Sequence, residues 1–172
     1  PERLEDINRY LATMEAETSR CGEIVKNLLA FARQSHIDMK ANSIRKIIDR
    51  TLPLVSHDLE LRGIRLVKKL EEHIPDVQCD FKQIQQVVLN VLSNAAEAMT
   101  EGGAVILQVC RAAKEDYVEV VVTDTGCGIP PENMKNIFEP FFTTKEQGKG
   151  VGLGLAVVYG IVARHHGTVE VE

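Results

Sequence analysis

The sequence has no dense run of lysine or arginine, and its net charge is −5. Binding a phosphate backbone depends on clustered cations, so nucleic acid is excluded as a partner. It also lacks a long apolar run. The longest, Val105 to Val109 and Leu153 to Val158, fall far short of the roughly 20 residues a membrane helix needs, so this segment contacts no membrane. Paired cysteines are missing too. Cys21, Cys79, Cys110 and Cys127 are scattered with no Cys-x-x-Cys, which argues against a disulfide scaffold or a cysteine zinc site and for reduced thiols in a cytoplasmic protein. Nor is there an initiator methionine or a charged-then-apolar leader at Pro1-Glu2-Arg3, so the chain reads as an excised piece of a longer protein whose sensor or anchor lies elsewhere. What is present is ordinary globular composition. The 172 residues are 44% hydrophobic and 26% charged, enough for one domain plus an appended element.

The first third has its own pattern. Leu4, Ile7, Leu11, Met14, Thr18, Cys21, Val25, Leu28 and Ala32 recur at spacings of three and four, the seam of a helix packed along other helices. A core helix of one globular domain is the competing reading; the uninterrupted heptads favour a bundle or a dimer stalk. After the break at Gln34-Ser35, Asn42-Ser43 reads as the N-cap of a helix to about Glu60. A strand is expected within Leu61 to Leu70, then a turn at Pro75, then a helix from Phe81 to Met99 capped by Asp80. Two strands, Ala104 to Ala112 and Tyr117 to Thr123, are expected to pair, the second as a buried β-branched run. A helix from Leu153 to His165 and a last strand from Thr168 complete the chain. Helices and strands that do not alternate strictly predict an α+β fold, a mixed sheet with helices on one face.

Three segments carry chemistry. On the helix from Phe81, Asn90 and Asn94 stand one turn apart on one face. Their amide oxygens are neutral ligands suited to a hard cation such as Mg²⁺, although two asparagines on a helix can equally be a solvated surface. Asp124-Thr125-Gly126-Cys127-Gly128 leaves an apolar strand. Its alternate glycines allow close approach to a flat ligand, and its aspartate can accept from an exocyclic amine. A plain turn with Asp124 capping Ile129 onward is the alternative. The third segment, Gly148 to Leu155, has a glycine at every second position before a helix, an arrangement that turns backbone amides and a helix N-terminus toward phosphate. It is neither a Walker loop nor a dinucleotide fingerprint. Between them, Phe138-Glu139-Pro140-Phe141-Phe142-Thr143-Thr144-Lys145 holds three of the five phenylalanines. It reads as a lid anchored by its aromatics, with Thr144 or Lys145 reaching phosphate.

In this order the segments resemble the boxes of sensor histidine kinases, within the gyrase, Hsp90, kinase and MutL superfamily. Asn90 to Ala98 is similar to the N box, Asp124 to Gly128 to the G1 box, Phe138 to Lys145 to the F box and Gly148 to Leu155 to the G2 box. Asn-Ala-Ala-Glu-Ala-Met and Pro-Phe-Phe-Thr-Thr-Lys resemble the nitrogen-regulator-like subgroup most. The resemblance implies a Bergerat-type two-layer sandwich over residues 37–172, preceded by the second helix of a dimerisation and phosphoacceptor hairpin over residues 1–36. It implies ATP and Mg²⁺, with Asn94 and Asn90 on the metal, Asp124 on the adenine amine, and Gly126, Gly128 and Ile129 beside the base. Phe142, Thr144 and Lys145 would come from the lid, and Gly150, Gly152, Leu153, Gly154 and Leu155 from the phosphate side, with Asn90 and Lys145 taking catalytic parts. The implied partners are a response regulator and a second copy joined through the first helix.

Two departures qualify the resemblance. The family's phosphoacceptor histidine lies on a helix that would precede Pro1. Ser56-His57-Asp58-Leu59 imitates its motif but follows the hairpin segment and lacks the proline; His36, His73, His165 and His166 are read as surface or loop histidines. The chain is therefore expected to bind ATP without labelling itself. It also ends at Glu172, where the family continues into another strand. Related ATPases carry a glutamate general base four residues before the magnesium asparagine; here that position is Asn90, which cannot take a proton. The resemblance thus implies a histidine kinase, with a turnover ATPase or a non-catalytic assembly module as the alternatives.

Overall fold

The structure is a computed structural model, and it describes residues 6–11, 13–15, 17, 18, 22, 25, 37–113, 116–145 and 150–172. The described positions between 6 and 25 are helical and exposed. The rest of the expected first helix, with Leu4, Cys21, Leu28 and Ala32, lies outside the described residues, as does His36.

From Lys40 onward the order is β1 (Lys40–Asn42), α1 (Ile44–Leu61), β2 (Ile64–Leu70), β3 (Val77–Cys79), α2 (Phe81–Ala98), β4 (Gly103–Arg111), β5 (Val118–Asp124) and α3 (Gly154–Arg164). Ser43 starts α1 in extended conformation, its side chain accepting from the Lys46 amide. Ile44, Ile47, Ile48 and Leu59 then fall on one buried stripe. Pro53 stands inside α1, where it removes an amide donor; Thr51 just before it is wholly buried, its hydroxyl donating to the Ile47 carbonyl.

β4 is the middle strand. It runs parallel to β2, from Ile64 opposite Gly103 to Leu70 opposite Val109, and antiparallel to β5, from Val105 opposite Asp124 to Arg111 opposite Val118. Val105, Leu107 and Val109 alternate into the core while Gln108 faces solvent, the strand period of two. The parallel β2–β4 pair needs a crossover, and α2 supplies it. Val88, Leu92, Ala95 and Ala96 bury one stripe of α2, which packs between α1 and α3 and reaches β4 and β5. This is the expected α+β architecture, a mixed sheet under helices.

One pairing is not foreshadowed in the sequence, and three expectations need correction. β1 and β3 pair antiparallel as a separate two-stranded sheet, with Ala41 opposite Gln78; three residues are too few to show a periodicity. Residues 168–172 form no strand; alternation at Val169 and Val171 does not by itself make a ladder. β5 is consequently an edge among the described residues, and Val120 and Val121 remain 39% exposed instead of buried. His165 is half-buried, not a surface histidine. Its Nε2 accepts from the Asp80 amide at 3.0 Å and its Nδ1 lies 2.8 Å from the Ile161 carbonyl.

Asp80 joins three elements. Its Oδ1 accepts from the Lys82 and Gln83 amides at 2.9 and 3.1 Å, capping α2, and its Oδ2 accepts from the Asp38 amide at 3.1 Å. Partial burial opposes the charge, but the amides of Asp38, Gln83 and Lys82, with His165 nearby, outweigh it and hold the carboxyl below the ordinary aspartate range. A depressed carboxyl stabilises the fold above its unfolded pKa of about 3.9, and that contribution fades as pH falls through the lower folded value. Asp80→Ala should therefore cost about 1–2 kcal/mol at neutral pH. Urea denaturation of both proteins at pH 7 and pH 3 should show the gap narrowing in acid; a gap independent of pH would refute this account of the cap.

Candidate functional site

Every predicted segment meets α2. Midway along it, the Asn90 Nδ2 donates to the Gly154 carbonyl at 3.3 Å. One turn on, Asn94 is close enough that a Cβ placed on Gly154 would sit 3.6 Å from both atoms of its amide. The two amides are therefore applied to the first turn of α3. That turn begins at Leu153 without any side-chain cap, so its leading amides are open to an anion. The Asn90 nitrogen is thus engaged by Gly154, and its amide oxygen is an acceptor of the kind that can hold a hard cation.

Gly152 explains how the aromatic segment is held. Its φ is +68°, and a Cβ there would collide with the Phe142 carbonyl oxygen and lie 2.6 Å from the Phe141 carbonyl carbon. The gap is closed by the Phe141 amide donating to the Gly152 carbonyl at 2.9 Å. Ile137 is buried, and the Phe138 ring lies 5.4 Å from that of Tyr159 on α3, so both act as anchors. Phe142 is half-buried. Phe141 is not an anchor: it holds φ +69° and is 61% exposed. At the segment's end the Lys145 amide donates to the Thr143 hydroxyl at 3.2 Å, and the Lys145 ammonium pairs with Glu97 on α2. The same lysine's Cδ lies 3.0 Å from where Gly150 would carry a Cβ. Thr144 is exposed.

The Asp124–Gly128 segment docks on the C-terminal end of α2, at Ala98, next to Glu97 in sequence. Asp124 closes β5, and its Oδ1 accepts from the Gly126 amide at 2.8 Å, a local turn in place of a cap on Ile129. The Cys127 amide donates to the Ala98 carbonyl at 3.1 Å, and a Cβ on Gly126 would fall 2.7 Å from the Ala98 methyl, so only glycine allows this approach. Gly128, at φ +71°, has open space around it, and Ile129 is 41% exposed. The Thr125 hydroxyl accepts from the Ala104 amide at 3.1 Å, tying the loop back to the start of β4.

Asn90, Asn94, Gly152, Gly154, Phe142 and Lys145 thus converge along α2, with Asp124 and Gly126 at its C-terminal end. Leu153 is 1% exposed and belongs to the core, so only its backbone is available to a ligand; Leu155 is half-buried. Gly148 and Lys149 lie outside the described residues. The sequence marks Glu97 as the carboxylate nearest the asparagine pair, one turn further on and a candidate for a direct catalytic role, but not as the partner of Lys145; no local pattern marks Thr125 as a tie. Two cavities of about 320 and 310 Å³ lie elsewhere, one beside Tyr159, Val162 and Val169, the other beside Lys69, Glu71 and Cys110.

Comparison with known proteins bears on this arrangement. Residues 79–172 match the family described as histidine kinase-, DNA gyrase B-, and HSP90-like ATPase. The sensor histidine kinase ZraS of Escherichia coli (strain K12) is 36% identical over 166 residues, covering 96% of this chain and 35% of ZraS. Full-length ShkA in complex with AMPPNP is similar with TM-score 0.75 and 28% identity, over 90% of this chain and 33% of ShkA. Histidine kinase ThkA in complex with the response regulator TrrA gives TM-score 0.74 and 27% identity, over 92% of this chain and 44% of ThkA. The chain spans about a third of the length of the first of these relatives.

Gly152→Ala tests the clamp. An L-residue in this conformation costs about 1–2 kcal/mol before the collision with residue 142 is counted. Hydrogen exchange at the Phe141 amide should accelerate about tenfold or more while the β4 amides stay protected; an unchanged Phe141 rate would show that Gly152 does not hold the segment.

Proposed function

Because the chain belongs to the histidine kinase-, DNA gyrase B- and HSP90-like ATPase family, we propose that it binds Mg²⁺-ATP along α2 and is the catalytic domain of a protein-histidine kinase. The observation that carries this reading is the application of Asn90 and Asn94 to the uncapped first turn of α3. Asp124 accepts from the adenine amine, with Gly126, Gly128 and Ile129 beside the base. Gly150, Gly152 and Gly154 free backbone amides for phosphate, and Leu153 and Leu155 contribute theirs from the same turn. Phe142 fixes the segment that brings Thr144 and Lys145 to the phosphates. The amide oxygens of Asn94 and Asn90 suit a hard cation, and Mg²⁺ held there supplies charge neutralisation to the polyphosphate.

The chain's own groups favour transfer over hydrolysis. Asn90 has no basic atom with which to activate water, so alignment governs the reaction. A histidine nitrogen attacks the γ-phosphorus, the bond to the β–γ bridging oxygen breaks, and ADP leaves. A response-regulator aspartate then receives the phosphoryl group, a partner supported by the complex in which ThkA was solved.

Residues 1–36 belong in this reading to the dimerisation hairpin and 37–172 to the ATP-binding domain. Ile7, Leu11, Met14 and Val25 are 48–66% exposed, which supports a seam waiting for helices of a second copy. No helix among the described residues is long and apolar enough to cross a membrane, and a cytoplasmic site for this domain accords with its use of ATP.

Calorimetry should detect Mg²⁺-ATP binding, weakened about tenfold or more by Asp124→Asn, which puts a donor opposite the adenine amine. Equal affinity of both proteins would overturn the adenine assignment. Steady phosphate release that is lost in Asn90→Ala would favour the ATPase instead.

A further inference from the structure

Lys145 lies where the aromatic segment, the glycine tract and α2 meet. Its stem crosses Gly150, its amide is bonded to Thr143, and its ammonium is paired with Glu97, 48 residues earlier in the chain. Glu97 follows Asn94 by three positions, so it is that residue's neighbour on the helix surface. The other ion pairs among the described residues are either local (Asp6–Arg9, Asp38–Lys40, Asp58–Arg62) or join α1 to β2 through Asp49 and Lys68. Lys145–Glu97 is the pair that bridges two walls of the candidate site. Both side chains are over a third exposed, 36% for the lysine and 38% for the glutamate, so the pair is cheap to break and open to exchange.

We propose that Glu97 is a positioning residue for Lys145, holding its ammonium at α2 until a polyphosphate displaces the carboxylate. The proposal rests on the nucleotide reading above. A lysine presents one compact charge on a flexible stem and cannot serve both anions fully. A ligand with distal phosphates offers more negative charge than one carboxylate and takes the ammonium; a ligand without them leaves the pair intact. Lys145 then contributes only the difference between two ion pairs to affinity, and that difference depends on the distal phosphates. Glu97 in this way tempers the affinity for a triphosphate, and narrows its margin over AMP, without touching either nucleotide.

Calorimetric titration of the full chain with Mg²⁺-ATP and, separately, AMP decides the matter in four proteins: wild type, Glu97→Gln, Lys145→Met and the double variant. An exposed pair is worth up to about 1 kcal/mol, so Glu97→Gln should tighten Mg²⁺-ATP about two- to fivefold and leave AMP unchanged. Lys145→Met should weaken Mg²⁺-ATP, and the gain from Glu97→Gln should largely vanish in its background. Glu97→Asp should behave as wild type. The proposal fails if Glu97→Gln leaves Mg²⁺-ATP affinity unchanged or weakens it, if its effect is equal with and without the lysine, or if AMP shifts in parallel. Wild-type protein that takes up no Mg²⁺-ATP overturns the nucleotide reading itself, and this proposal with it.

Discussion

Asp80 uses both carboxylate oxygens and its own amide at once, and the geometry of the site follows from that. An α-helix advances about 100° per residue, so the residue at which α2 begins decides which side chains face α3 ten and fourteen positions later. With Asp80 as the cap, Asn90 and Asn94 meet Gly154 while Val88, Leu92 and Ala95 turn into the core. A start displaced by one residue would bury an amide in their place, which costs free energy unless a partner is found. The cap is thus a choice of register as well as the satisfaction of two amides.

From that register the walls assemble by close approach of backbone. Gly126 lies against Ala98 and Gly152 against the Phe141–Phe142 peptide, and in both places a Cβ would require the neighbour to move. Phe141 and Gly152 both hold positive φ on either side of their shared hydrogen bond. For phenylalanine that conformation is strained, and such strain persists where surrounding contacts over-determine the backbone. Here the buried Ile137 and the Phe138–Tyr159 contact provide them.

Much of this was legible in the sequence, for identifiable reasons. Ser43 and Asp80 declare helix starts through the chemistry of their own side chains, and the stripe from Val88 to Ala95 declares its buried face through spacing. The asparagine pair, the aspartate beside glycines and the glycine tract are likewise local. What was illegible is non-local. β1 exists because Ala41 finds Gln78, 37 positions away, and His165 is drawn inward by the Asp80 amide, 85 positions away. The exposure of Val120 and Val121 follows from which strands flank β5, and nothing in a run of valines states that. Glu97 is legible as the carboxylate nearest the asparagines, but its pairing with Lys145, 48 positions away, is not.

The bonds from Asp38 to Asp80 and from Asp80 to His165 tie distant parts of the chain together. The segment ahead of β1 is joined to the end of α3 by these two hydrogen bonds, outside the apolar interior. α3 is a stiff rod of 11 residues, about 16 Å at the usual rise, and its opposite tip carries Gly154. The contact made by His165 and the asparagine pair thus sit at the two ends of one helix.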